Sequence, residues 1–192
     1  MAKEHEIVAI INNSFKSRIF KSKKFQLGSI DDIAEQVKNA AGEIYPGSID
    51  FSGDVAYLGI DDTKPFQIYH RVIQPSFEQN EEEEFGDRVA ITEITNMRLV
   101  VIGDRSKLEL TAEDIKSGIA AGFPLQLTKS ELNTLGLTSG NITPVSVNWN
   151  REDVYRSEYN LKDQVLKTTM IIFSVDYQIQ TTYDQTCFTL CN

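Results

Sequence analysis

The strongest structural signal in the chain is a long β-strand pattern near its C-terminus, where residues 165–183 have the sequence VLKTTMIIFSVDYQIQTTY. β-Branched and aromatic residues dominate this stretch, and such side chains pack well on the pleated surface of a sheet. A second long strand is predicted at Arg88–Ile102, where alternate residues fall into two sets: Met97, Leu99 and Val101 against Arg98, Val100 and Ile102. The two stretches together predict a sheet that contains two long strands.

Shorter strands are predicted on either side of these two. Residues 55–60 and 66–73 are joined by Asp61–Pro65, which has the length and composition of a hairpin connection. Residues 145–149 and 154–159 are the remaining candidates for strands.

Four segments have the pattern of helices. Apolar residues recur at three- and four-residue steps in residues 4–20, and Ser29 begins a second helix that ends at Gly42, with Ile33 and Val37 on its apolar face. Further helices are predicted at residues 111–122 and 129–135.

The order of these elements predicts an α+β fold. Strands that follow one another in sequence favour a mostly antiparallel sheet, with the N-terminal and central helices packed on one side. No repeat or shift in composition divides the chain, so residues 1–192 are predicted to form one domain. Its parts are a helical N-terminal region at 1–45, an acidic loop at 74–87 and a C-terminal tail at 184–192.

The chain has a net charge of −9, which argues against sequence-specific or broad electrostatic binding of nucleic acid. Its charge is unevenly distributed. A basic cluster contains Lys16, Arg18, Lys21, Lys23 and Lys24, and an acidic run contains Glu81, Glu82, Glu83 and Glu84. Both are explained as solvated surface; alternatively, they attract each other between copies in a head-to-tail contact that closes a ring.

No motif for catalysis, phosphate binding or metal binding is present, and no cofactor is predicted. His70 lies in the middle of a predicted strand and is interpreted as a structural, hydrogen-bonded histidine. Cys187 and Cys191 are interpreted as free thiols, because two sulfurs make half a zinc site. A metal-dependent hydrolase using Asp61, Asp62 or Glu93 remains an alternative.

Trp149 is the most prominent candidate for a contact residue. Together with Tyr155, Tyr159, Tyr177 and Tyr183 it could form a ligand platform, but strand aromatics more often pack in a core or at an interface. The apolar runs are too short to cross a membrane and the N-terminus has no secretory pattern, so synthesis in a cytoplasm is expected.

The element order is similar to that of the tail-terminator and neck-component proteins of tailed bacteriophages. It consists of a leading helix, a hairpin, the long strand Arg88–Ile102, the helix Thr111–Gly122 and the β-rich segment Lys167–Tyr183. The resemblance implies a small non-enzymatic protein that forms a ring where the head joins the tail. Its partners would be copies of itself and neighbouring virion proteins.

The sequence therefore predicts a structural, non-enzymatic subunit of a larger assembly, and most specifically a virion protein made in the host cytoplasm. The alternative is a cytoplasmic module that binds a ligand or protein, with an aromatic cleft near Trp149.

Overall fold

The computed structural model describes residues 2–18, 29–49, 55–60, 63–78, 90–108, 110–159 and 166–184. Within these ranges the chain forms four α-helices and seven β-strands. In chain order they are α1 (Ala2–Arg18), β1 (Ser29–Lys38), β2 (Ile44–Ile49), β3 (Val55–Tyr57), β4 (Phe66–Glu78), β5 (Ala90–Asp104), α2 (Ala112–Gly122), α3 (Lys129–Leu135), β6 (Ser139–Asn148), α4 (Arg151–Glu158) and β7 (Met170–Asp184).

The seven strands form one sheet in the order β3-β2-β1-β4-β5-β7-β6. Only the pair of β1 and β4 is parallel; every other neighbouring pair of described strands is antiparallel. β5 and β7 pair without interruption from Ala90 opposite Asp184 to Asp104 opposite Met170. The predicted α+β fold with a mostly antiparallel sheet is confirmed, and the two long strands of the sequence pattern pair with each other.

The helices α1, α2 and α3 cover one face of the sheet, which we call the α1 face. Alternate side chains of β4, β5 and β7 point to this face. The core there contains Ile7, Ile11, Phe15, Phe66, Ile68, Met97, Leu99, Val101, Ile115, Ile119, Leu135, Phe173, Val175 and Tyr177. The predicted packing of the N-terminal and central helices on one side is confirmed. Capping boxes at Thr111 and Thr128 begin α2 and α3 at the predicted positions.

Polar contacts hold α1 to this core as well as apolar ones. Phe15 packs edge-on against Phe123 with 5.1 Å between ring centroids. His70 is fully buried, with Nε2 2.8 Å from Asn12 Oδ1 and Nδ1 2.8 Å from the hydroxyl of Tyr177. Because Asn12 Oδ1 only accepts, Nε2 donates to it, and in the neutral ring Nδ1 accepts from Tyr177. His70 is thus a structural histidine, as predicted.

The opposite face of the sheet, which we call the α4 face, is partly covered by α4. Val154, Tyr155 and Tyr159 pack there against Val100 and Ile172. The sequence prediction of a strand at 154–159 is wrong. Asn150 begins a helix instead, because its side chain accepts from the backbone N–H groups of the first turn and the apolar residues recur at helical spacing.

The prediction of a helix from Ser29 to Gly42 is also wrong, and residues 1–45 are therefore not uniformly helical. Residues 29–38 form β1, which pairs with β2 on one side and β4 on the other. Gly42, predicted as the end of a helix, has a φ of +81° in the turn between β1 and β2. Pairing with two neighbouring strands outweighs the local helical pattern, as tertiary context often does.

The hairpin predicted between residues 55–60 and 66–73 does not form. β3 pairs with β2, whereas β4 lies between β1 and β5. Residues 74–78, predicted as the start of the acidic loop, belong to β4, which continues to Glu78. Asp184, predicted to begin a tail, ends β7; residues 79–89 and 185–192, with both cysteines, lie outside the described residues.

Replacing Phe15 with alanine is expected to lower the free energy of unfolding by about 3–5 kcal/mol, since it removes a fully buried ring between α1 and Phe123. Lys16→Ala, at the next and exposed position, is the control and is expected to change it by less than about 0.5 kcal/mol. Urea denaturation measures both. Equal effects would show that α1 is not packed as described.

Candidate functional site

The most unusual surface of the described protein lies along β6, at one end of the sheet. β7 bonds one side of β6. On the other side, Leu125–Leu127 covers only the first half of the strand, where Ile142 N donates to Leu125 O and Leu127 N donates to Gly140 O, each at 3.0 Å. From Thr143 to Asn148 no described segment pairs with the outer side. We call this stretch the free edge.

The free edge is exposed on both faces of the sheet, not only at its side. Every residue from Thr143 to Asn150 is exposed. They include Val145, Val147 and Trp149, whose exposed fractions are 59%, 41% and 44%, and the nearby Leu125 is 66% exposed. These four are among five large apolar residues that are exposed in the described part of the chain. Apolar side chains are therefore concentrated where the backbone lacks a partner.

Proteins usually protect such edges with charges, prolines or bulges. Here Pro144 removes one N–H group, and the pairing with β7 shifts register between Pro144 and Ser146. From the bulged residue Val145 onward, the sequence Val-Ser-Val-Asn-Trp (145–149) contains no charged residue. The protection therefore ends where the apolar residues begin.

Trp149 is held in position although it is exposed. Its ring packs on Phe173 with 4.9 Å between centroids, and Lys116 Nζ lies 4.2 Å from the centroid of the indole ring. Asn150, the next residue, caps α4. These two contacts fix the indole, so little side-chain freedom remains to be lost when a partner covers it.

A buried ionic cluster on the α4 face fixes the structure next to this edge. Glu158, whose side chain is fully buried, accepts from Arg71 Nη2 at 2.8 Å, from Arg98 Nη1 at 3.4 Å and from the Tyr69 hydroxyl at 3.4 Å. Arg98 also donates twice to Asp176, at 2.6 and 3.0 Å. The cluster anchors the end of α4 to β4, β5 and β7.

The electrostatics of the cluster follow from these contacts. The hydrogen bonds to Asp176 raise the pKa of Arg98 above its ordinary value. Burial, together with Tyr159 and Glu158, raises the pKa of Tyr69 well above its ordinary value, so Tyr69 stays protonated and donates. Ser146 of the free edge donates to Asp176 at 3.4 Å. The ionic cluster thus extends from α4 to the free edge.

The other predicted site residues have different surroundings. Lys16 and Arg18 are exposed at the end of α1, and Arg18 donates to Ala121 O at 3.3 Å. Lys21, Lys23, Lys24 and Glu81–Glu84 lie outside the described residues, as do Asp61 and Asp62. The structure therefore describes Trp149 within a surface and Lys16 and Arg18 at a separate helix end.

The other aromatic residues do not join Trp149 in a platform. Tyr155, Tyr159 and Tyr177 are buried, and Tyr155 stacks on Tyr159 with 5.6 Å between centroids. Within the described ranges, no three His, Cys, Asp or Glu side chains are arranged to hold a metal ion. None of the described helices is long and apolar enough to span a membrane.

The ionic cluster was not predicted from the sequence. Glu158 lies 87 residues from Arg71 and 60 from Arg98. The signal in the sequence is that Arg71 and Arg98 alternate with Tyr69 and Val100, so each places a charge on a strand face that also carries apolar side chains. Comparison with known proteins adds no family: no family model matches the chain, and no curated protein is significantly similar to it.

Glu158→Gln is expected to lower the free energy of unfolding by about 3 kcal/mol, because it leaves the charge of Arg71 without its buried partner. Glu152→Gln, on the same helix but exposed, is the matched control and is expected to have little effect. Chemical denaturation of both variants tests this. A stable Glu158→Gln protein would mean that the cluster does not anchor α4.

Proposed function

We propose that the chain is a structural, non-enzymatic subunit that assembles with other subunits through the free edge of β6. The observation that carries this proposal is the exposure of β6 from Thr143 onward on both faces and along its outer side. Because no described segment pairs with its outer side, the strand presents backbone N–H and C=O groups beside the exposed Val145, Val147 and Trp149. Such an edge is a template for pairing with another chain.

The free edge is stabilised when a partner strand covers it. Pairing satisfies the outward N–H and C=O groups and removes the valines and the indole from solvent. Tryptophan is enriched at the centres of interfaces because its large, rigid ring buries much area at low entropic cost. Since Phe173 and Lys116 already hold Trp149 in place, the surface is arranged before the partner arrives.

The more specific proposal is a subunit of a ring at the junction of head and tail in a tailed bacteriophage. It rests on the order of α1, the long strand β5, α2 and the closing strand β7, which resembles the order in tail-terminator and neck proteins. A ring needs two complementary surfaces in head-to-tail contact. Lys16, Arg18, the other lysines up to Lys24 and the acidic run at Glu81–Glu84 remain the candidates for that contact.

The mass of the purified protein by light scattering, with negative-stain images of the same sample, tests this proposal. We expect a closed ring or an oligomer whose mass rises with concentration. A monomer at every concentration would contradict assembly through β6. If a small ligand also quenched Trp149 fluorescence in that monomer, the binding-module alternative would replace the proposal.

Val147→Lys is expected to weaken self-association by about tenfold or more, because pairing would then bury a charge beside an apolar strand. Asn133→Lys, at an exposed position of α3, adds the same charge away from β6 and is expected to leave association unchanged. Sedimentation velocity over a range of concentrations measures both. Equal behaviour of the two variants would count against the free edge.

Trp149 is the only tryptophan, so its fluorescence reports on this surface alone. We expect its emission to shift to shorter wavelengths as the concentration rises and the indole leaves water. In the Val147→Lys variant the emission is expected to stay at the long-wavelength position. A spectrum that does not depend on concentration while the mass increases would place the contact elsewhere.

A further inference from the structure

We infer that the partner of the free edge is the same edge of a second copy, paired antiparallel about a two-fold axis that passes between the two copies of Val147. This inference rests on the proposed assembly role and specifies the partner and the register. It extends the seven-stranded sheet of one subunit into that of the other. The contact is isologous, since the same residues take part from both sides.

The register follows from the faces on which the side chains lie. Val147 pairs with Val175 and Trp149 packs on Phe173, and both of these partners point to the α1 face. Ser146 and Asn148 pair with Asp176 and Ser174, which point to the α4 face. An antiparallel self-pair centred on Val147 places Ser146 opposite Asn148 and Val147 opposite itself. Side chains on matching faces therefore meet, as the pleat of a sheet requires.

Charge favours a second copy as the occupant. The paired segment, Val145–Trp149, has no charged residue, so two copies meet without like charges in opposition. The register sets Val147 opposite the partner copy's Val147, and this gives an apolar cross-strand contact at the centre of the segment.

The lengths of the two edge strands of the sheet also favour a second copy of β6 as the partner. Among the described strands, the other edge of the sheet is β3, which has three residues. A head-to-tail pair of β6 with β3 would leave part of the free edge uncovered. The same segment of a second copy matches Val145–Trp149 in length and in polarity.

Leu125 gives the pair a defined end. The segment Leu125–Leu127 bonds to Gly140 and Ile142, so an added strand stops at Pro144. Leu127 points into the core of the α1 face, whereas Leu125 is exposed beside the point where the free edge begins.

The size and symmetry of the contact have consequences for the assembly. Five paired residues bury less than the ~1,600 Å² of a typical stable interface, so the dimer is expected to depend on concentration. An isologous contact joins two subunits and does not close a ring. Any larger assembly therefore contains an even number of subunits and uses a second contact.

Cysteine cross-linking tests the register directly. In a Cys187→Ser, Cys191→Ser background, Val147→Cys is expected to form a disulfide-linked dimer on mild oxidation. Directly opposed residues of an antiparallel pair have Cα atoms about 4.5–5.5 Å apart, within the range of about 4.4–6.8 Å that a disulfide spans.

Thr143→Cys in the same background is the matched control on the same strand. Position 143 lies four residues from the axis in each copy, so the Cα atoms of the two introduced cysteines would be about 26 Å apart. This distance is far beyond the reach of a disulfide, and the control is not expected to cross-link.

The outcomes separate this inference from the proposed function. A Val147→Cys dimer without a Thr143→Cys dimer supports the self-pair. If the protein assembles by light scattering but Val147→Cys does not cross-link, or cross-links no faster than Thr143→Cys, the register is wrong and the assembly role stands. A protein that is monomeric at every concentration overturns both.

Discussion

The uninterrupted pairing of β5 with β7 is the constraint on which the rest of the structure depends. These two strands pair with each other along 15 residues, and their side chains alternate between the two faces of the sheet. One face takes α1, α2 and α3, and the other takes α4. Because β5 also pairs with β4 and β7 with β6, the pair of β5 and β7 positions the strands on both sides of it. β6 lies at the end of the described sheet, so its outer side beyond the contact with Leu125–Leu127 has no described neighbour.

The free edge is exposed but firmly supported. The ring of Trp149 packs on Phe173 of β7. Asp176, on the same strand, accepts hydrogen bonds from Ser146 and from Arg98. Through Arg98 the support continues to Glu158 at the end of α4. Because these contacts with β7 hold Trp149 and Ser146, the free edge presents its side chains in a fixed conformation. Such order before binding favours a specific contact over indiscriminate aggregation.

Strands and contact residues that depend on local sequence patterns can be predicted from this sequence. The strands within 88–102 and 165–183 were recognised by alternation and composition, and Trp149 was recognised as a contact candidate. The segment beginning at Ser29 was misjudged, because its local pattern suits a helix as well as a strand and its pairing with β4 is not visible in sequence. The role of Glu158 could not be predicted either, since its partners lie far away in the chain and meet it only after the sheet forms.

Hydrogen exchange at low and high protein concentration is the most direct test that the free edge of β6 is the assembly surface. Backbone amides exchange slowly when they are paired and shielded from water. The account predicts that peptides covering residues 143–149 gain protection as the concentration rises, while those covering β3 do not change. Protection that is independent of concentration at 143–149, or that rises only elsewhere, would contradict it.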